Sequence, residues 1–191
     1  MSAESTIRRR RFLGGVLGSA AAAGFSMSGT LAAAWESGPD DWIKEVKGSH
    51  RCLFDFPQHK NGYGLLHILN YLNTYATVYK TAPGEVGAVG TFYSAGRLAS
   101  IPLAFNDAMW AKYNLGVYTG LKDADGKAYT RNVFNRPTTK DLHLLMQSID
   151  SPMIPALADA MPALGIENLQ KMGTKFILCA NALGIWCLEL E

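Results

Sequence analysis

The sequence lacks most of the signatures by which a chain of this size announces its chemistry. Its three cysteines form no CxxC pair, which excludes a thioredoxin-type dithiol and a zinc ribbon. The glycines between Gly84 and Gly96 spell neither GxGxxG nor GxxxxGK, so nucleotide binding has no warrant. GxSxG, HExxH and any cluster of His, Cys and Asp ligands are missing too, and neither a cofactor nor a metal is expected. Charge is scarce, with 18% Asp, Glu, Lys and Arg and a net charge of +2. Four of the 18 basic residues are Arg8 to Arg11, and beyond residue 34 the chain carries 14 bases against 15 acids. That near-neutral remainder has no basic footprint, and no nucleic-acid partner is expected.

What is present is apolar: 48% hydrophobic and 10% aromatic residues, too much for a disordered chain. The 157 residues after position 34 suit one ordinary domain and exclude two large ones.

The first 34 residues divide into a charged segment, a Gly/Ala-rich stretch from Gly14 to Leu31, and Ala32-Ala33-Ala34 as a small-residue cleavage site. The middle stretch is too poor in Leu, Ile and Val for a permanent membrane span. The run Arg9-Arg10-Arg11-Phe12-Leu13 resembles the twin-arginine export signal, which a receptor reads as an address. That resemblance implies the twin-arginine export machinery as a partner and a periplasmic destination. Residues 35–50 then read as a polar lead-in with a short helix capped near Asp40.

From residue 51 the pattern alternates between strand and helix. Arg51 to Phe56 is a short apolar run stopped by Pro57. Apolar residues recur with a 3.6 period between Gly64 and Lys80, and Val86 to Tyr93 reads as a buried strand leaving through Ser94-Ala95-Gly96, which completes a βαβ unit. Ile101 to Tyr113 reads as a helix, or as a turn entered at Pro102 and continued from Asn106. Its Met109, Trp110 and Tyr113 suit the core or the rim of a pocket. Gly116 to Pro137 is a polar excursion with a small hairpin about Asp125-Gly126. A helix from Thr138 breaks at Ser151-Pro152, Ile154 to Met172 supplies a further helix and turn, Thr174 to Cys179 is a third strand, and Ala180 to Glu191 is helical. The alternation predicts an α/β fold, a mainly parallel sheet with helices on both faces. Because the chain stops inside an amphipathic helix, one more strand and helix are expected to be missing from the C-terminus.

Cys179 is the candidate nucleophile or persulfide carrier. Ligands of open α/β sheets bind at the carboxyl ends of strands, and a helix N-terminus stabilises a thiolate through its amide N–H groups. The open alternative is a small buried hydrophobe, the ordinary fate of a cysteine. Cys52 and Cys187 read as core residues. His59 and Lys60, in the loop leaving the first strand, and Ser94 and Gly96, in the loop leaving the second, should open on the same sheet edge as Cys179, with Asn181 in the helix beyond it. They could supply a proton shuttle and an anion-binding cation. His67 suits an interface, while His50 and His143 have no evident partners.

The segment from Gly173 to Leu183, GTKFILCANAL, resembles the DsrE/DsrF-like sulfur-relay family, and the block from Arg51 to Gly96 is similar to it in order and spacing. The resemblance covers residues 51–191. It implies a flavodoxin-like three-layer sandwich without flavin, a homo-oligomer of three or six subunits, and a persulfide on the strand-end cysteine. It also implies a sulfur donor or acceptor protein, or a small sulfur species, as partner. Apolar residues beyond one buried stripe on the first helix (Tyr71, Leu72, Tyr75, Val78, Tyr79) suggest a contact surface for that assembly. Two functions stay open: an exported sulfurtransferase-like carrier, and a non-catalytic periplasmic binding or assembly module with structural cysteines.

Changing both Arg9 and Arg10 to Lys should strand the precursor in the cytoplasm. Immunoblotting of periplasmic and cytoplasmic fractions checks it, and undiminished periplasmic delivery would rule out the twin-arginine route.

Overall fold

Strand β1 (His50–Phe56) alternates between two kinds of side chain, Cys52, Phe54 and Phe56 at even positions and Arg51, Leu53 and Asp55 at odd ones. A period of two sends these sets to opposite faces of a sheet. The computed structural model, which describes residues 41–147 and 155–190, shows that sheet. β1, β2 (Val86–Phe92) and β3 (Thr174–Leu178) lie in the order β1-β2-β3, all parallel. The chain divides into two units, Met1–Ile43 and Lys44–Glu191. Of the first, only the opening residues of helix α1 (Asp41–Glu45) are described, so the export signal and the cap near Asp40 lie outside the described residues, as does the break at Ser151-Pro152.

The register levels the strand ends, with Phe56 beside Phe92 and Phe92 beside Leu178. On the even face this puts three phenylalanine rings in a row: Phe56 stacks on Phe92 at 6.1 Å between centroids, and Phe92 on Phe176 at 5.1 Å and nearly parallel. Gly90 makes the row possible. A Cβ there would stand 2.7 Å from the Phe176 ring and 3.2 Å from that of Phe56.

Helix α2 (Tyr63–Thr77) closes over this face. Gly62, at φ +82 in the left-handed region, turns the chain into the helix beneath the Phe134 ring, where a Cβ would meet the ring at 2.6 Å. Leu65, Leu66, Ile68, Leu69 and Leu72 are buried along one stripe. Each buried Leu or Ile contributes about 1.5–3 kcal/mol, which holds a helix of this length that would be marginal alone.

The chain from β2 to β3 builds the rest of the core from short pieces. A 3-10 turn (Ile101–Ala104) precedes α3 (Asp107–Lys112) and α4 (Leu115–Thr119). Of the two readings of Ile101 to Tyr113, the turn entered at Pro102 and continued from Asn106 is the one found, because Phe105 is extended and the Asn106 side chain caps α3 by accepting from the Met109 N–H. Trp110 is fully buried and donates its indole N–H to the Pro102 carbonyl at 2.9 Å, whereas Met109 and Tyr113 are half-buried beside it. α4 falls largely within the span that the sequence predicts as a polar excursion from Gly116; burial of Leu115, Gly116 and Thr119 makes it helical. A tight turn follows, with Gly126 at φ +81 and Lys122 bridged antiparallel to Ala128, as the Asp125-Gly126 pair predicts. Beyond it, buried Asn132 pins two segments together. Its side-chain amide donates to the carbonyls of Leu103 and Phe105 at 2.9 and 2.7 Å, and its oxygen accepts from the Phe134 N–H.

Asp141 plays a similar part at a helix start. It completes a capping box with Thr138 ahead of α5 (Leu142–Met146) and accepts from the Tyr129 hydroxyl at 2.6 Å and from Arg131 at 3.3 Å. Burial pushes its pKa up, but the hydrogen bonds of Tyr129 and Thr138 and the charge of Arg131 outweigh that and hold the carboxyl below its ordinary value. Helices α6 (Pro155–Ala160) and α7 (Ile166–Lys171), joined by a 3-10 turn at Met161–Leu164, lead into β3. Helix α8 (Ala180–Leu190) follows it. Trp186 of α8 is fully buried, edge-on to Tyr118 at 4.9 Å and to Phe105 at 6.2 Å. Glu189 accepts from the Tyr118 hydroxyl, whose pKa is pushed up to about 12 by burial and by that hydrogen bond.

The fold is thus α/β, with a small open parallel sheet compatible with a flavodoxin-like arrangement. Among the described residues the helices that build the core lie on one of the two faces where helices are expected. Among the described residues the helices bury their apolar side chains into one cluster with Phe56, Ala88 and Phe92. The odd face instead carries exposed Arg51, Leu53, Asp55 and Lys175, with Val89 buried beside it; among the described residues the end of α1 reaches it through the ion pair of Glu45 with Lys175, and the chain at Val46-Lys47 crosses over Gly87. Leu72 belongs to the core, so the unpartnered surface of α2 is formed by Val78 and Tyr79, with Tyr71 and Tyr75 half-buried. Among the described residues no helix is long and apolar enough to cross a membrane.

Because Gly90 accommodates two rings, Gly90→Ala should destabilise the domain by about 1–3 kcal/mol through overpacking. Adding Phe176→Leu should recover part of that loss, giving a favourable coupling in a double-mutant cycle by urea denaturation.

Candidate functional site

The level strand ends place three connections on one edge of the sheet: residues 57–62 after β1, 93–100 after β2, and Cys179 after β3. Strands in a sheet lie about 4.8 Å apart, so the end of β1 stands roughly 10 Å from that of β3. β2 lies between them.

Cys179 occupies the expected junction. Its N–H donates to the Phe92 carbonyl at 3.0 Å, extending the β2–β3 ladder by one bond, and its carbonyl accepts from the Leu183 N–H at 3.0 Å, opening α8. The backbone is therefore held from both sides, while the thiol is free and the residue exposed. Asn181 is exposed in the first turn of α8. Exposure removes the alternative of a buried hydrophobe for Cys179. It also corrects the reading of the other two thiols as core residues: Cys187 is exposed and Cys52 half-buried, because α8 packs through Ala182 and Trp186 and because β1 is an edge strand.

His59 is placed differently from a surface proton shuttle. Its N–H donates to the Leu98 carbonyl and the neighbouring Gln58 bridges to Ala99, so the loops after β1 and β2 close over the ring and leave it 5% exposed. Nδ1 accepts from the Asn61 N–H at 3.1 Å and caps the 3-10 turn Lys60–Gly62. An accepting Nδ1 carries no proton. Burial lowers the His59 pKa from its ordinary 6.5; the Arg97 backbone raises it by less and makes no well-formed hydrogen bond to Nε2, which is buried without a partner. Lys60 is exposed in the same turn, with φ +37. Ser94 and Gly96 are half-buried at φ +78 and +85, the strained exit by which the chain leaves β2. The residue that joins the two loops is Ser100, buried, whose hydroxyl donates to the Phe56 carbonyl and accepts from the Tyr93 N–H at 3.0 Å. Nothing in the local sequence singled it out.

Two adjoining clefts open beside this edge. One of about 330 Å³ is lined by Phe92, Leu103, Gln170, Ile177 and Leu178; the next, of about 670 Å³, by Asp107, Arg131, Asn132 and Thr138. Asn106, Asn135 and Glu167 border both, and the exposed pair Arg136–Glu167, 2.7 Å, spans their rim. Cys179 lines neither. The remaining histidines lie elsewhere: His50 stacks on Tyr75 at 4.8 Å, exposed His67 stands edge-on to Tyr63, and the His143 ring contacts the carbonyls of Lys140 and Lys122, the partners its sequence did not show. Among the described residues no group of three His, Cys, Asp or Glu side chains could hold a metal ion. No protein-family model, curated protein or solved structure matches the chain.

The capping role of His59 generates a pH dependence. Its folded-state pKa is depressed, so between that value and 6.5 the unfolded chain binds a proton that the folded chain refuses, and stability rises with pH through this window. The contribution is complete above 6.5 and is lost as pH falls through the depressed value. Urea midpoints measured from about pH 5 to 7 should show this slope in the wild type and a flatter one in His59→Asn, which can still cap but does not titrate.

Proposed function

We propose that the protein is an exported sulfur carrier of the DsrE-like type, holding sulfane sulfur on Cys179 in the periplasm and passing it to an acceptor. The observation that carries this reading is the placement of Cys179: a thiol exposed at the sheet edge on a backbone held by β2 on one side and by an eleven-residue helix on the other. A helix N-terminus favours the thiolate, which is the reactive form. The thiolate attacks a terminal sulfur of a polysulfide; a new S–S bond forms at Cys179, the old one breaks, and the shortened polysulfide leaves with the electron pair. Transfer to an acceptor thiolate reverses the step and needs no further oxidant. Lys60 and Asn181 are the polar groups assigned to that edge, and His59 acts by shaping the loop rather than by exchanging protons. The export signal, and an assembly of three or six subunits, belong to the same proposal.

The clefts favour a second reading. They lie beside the same edge, mix amide, guanidinium and carboxylate groups with an apolar floor, and exclude Cys179, as a binding module with a bystander thiol would.

Incubating the purified protein with a polysulfide should add the mass of whole sulfur atoms to the intact protein, and Cys179→Ser should abolish the gain while Cys187→Ser leaves it. Equal gain in Cys179→Ser, or none in the wild type, would leave the binding-module reading standing.

A further inference from the structure

The two edges of the sheet are protected unequally. β3 is five residues long and carries Lys175 on its odd face, ion-paired to Glu45. Charge and shortness are the usual devices against unwanted pairing of an edge. β1 is seven residues long, and among the described residues its outer edge pairs with no strand. It contains no proline and no left-handed residue. At its centre Leu53 stands 63% exposed on the odd face, far above the ordinary exposure of a leucine in a parallel sheet.

The residues around Leu53 are arranged symmetrically. Arg51 and Asp55, both exposed, lie two positions to either side of it on the same face. If β1 met a second β1 antiparallel with the two Leu53 residues opposite, each Arg51 would face an Asp55 of the second copy, and Cys52 would face Phe54. Directly opposed side chains in such a pair have Cβ atoms about 4.5–5.5 Å apart, close enough for an ion pair. Moving the two-fold axis by one residue, to Cys52 or Phe54, opposes Leu53 with Arg51 or with Asp55 and loses both ion pairs. Asp55 is also held ready: its carboxylate accepts from the Thr91 hydroxyl at 2.8 Å and from the Tyr93 hydroxyl at 2.9 Å, so little side-chain entropy is lost on pairing.

A strand pair alone falls short of the roughly 800 Å² per partner that a stable complex buries. Helix α2 adds to it. Phe54 contacts Tyr71 at 5.6 Å, Tyr71 contacts Tyr75 at 4.9 Å, Tyr75 contacts Tyr79 at 5.1 Å, and His50 closes on Tyr75. This ridge of rings, on the side of α2 above β1, ends in the exposed Val78 and Tyr79. Aromatic side chains of this kind are enriched at the cores of interfaces.

We infer that β1 is the site of self-association: it pairs antiparallel with β1 of a second copy about a two-fold axis at Leu53, Arg51 of each against Asp55 of the other. The two sheets become one of six strands, and the tyrosine ridges flank the seam. An isologous contact of this kind closes on itself and does not propagate into fibres. The inference does not depend on the chemistry of Cys179.

Sedimentation of the purified chain at micromolar concentration should give two subunits, or six where the contact joins two trimers of the proposed assembly; three subunits would overturn the inference. Arg51→Asp should weaken association at least about tenfold by setting like charges opposite each other, and the exchange Arg51→Asp with Asp55→Arg should recover it. In a chain with its three cysteines changed to Ser, Leu53→Cys should yield a disulfide-linked dimer on mild oxidation, while Lys175→Cys on the other edge should not. A monomer throughout that range, or association that Arg51→Asp leaves unchanged, would overturn the inference. So would failure of Leu53→Cys to cross-link while association persists, since the contact would then lie on another surface.

Discussion

The row of Phe56, Phe92 and Phe176 across the three strands is the constraint on which the rest of the domain depends. Rings of that size on neighbouring strands fit only where the backbone between them has no side chain, and Gly90 supplies the gap. Gly64 does the same from above: a Cβ there would enter the Phe56 ring, so α2 can settle on the row only because that position is bare. Register, helix approach and strand order are therefore coupled through the same few atoms. A one-residue slip of any strand would carry its ring to the odd face and empty the core.

A core gathered on one face has consequences for both ends of the sheet. With the helices of the core gathered on the even face, the loops after β1 and β2 cross the carboxyl edge to reach them. They meet there, joined by Ser100, by the bond from His59 to Leu98 and by the Gln58–Ala99 bridge. That closure consumes His59 as a cap. The β3 end has no comparable cover, because α8 starts at once and departs toward Phe105 and Tyr118. The asymmetry between a sealed half and an open half of the edge, rather than any unusual residue, is what leaves Cys179 accessible.

Much of this was legible where the causes are local. The apolar run stopped by Pro57, the 3.6 period of α2, the Asp125-Gly126 turn and the junction at Cys179 all follow from propensity and pattern, and each stands where the sequence predicts it. The exposed odd face of β1 is also legible in the strand itself, since Arg51, Leu53 and Asp55 alternate with Cys52, Phe54 and Phe56. What could not be read is long-range. The choice between a continuous helix and a break at Phe105 is settled by Asn132, 27 residues away, and the burial of His59 by residues 39 and more positions downstream. The exposure of Cys187 depends on which flank of α8 meets Tyr118, and both flanks are apolar enough to serve, as exposed Ile185 and Leu188 show.

The three thiols differ in what holds their backbones, and that difference bears on carrier chemistry more than exposure does. Cys52 sits in an edge strand whose side chains would be drawn into any strand-to-strand contact. Cys187 rides on the outer flank of a helix, two turns from its start, where the end-group effect of the amides has decayed. Only at Cys179 do a strand end and a helix start meet, so that neither the Cα from which the thiol projects nor the direction of the nearest amides can vary without breaking the bond to Phe92 or the first turn of α8. A carrier must present its sulfur to a donor and then to an acceptor in the same geometry, because each exchange needs the attacking thiolate in line with the bond it breaks. A fixed backbone under an exposed thiol meets that requirement without a pocket around the sulfur, since Cys179 lines neither of the neighbouring clefts.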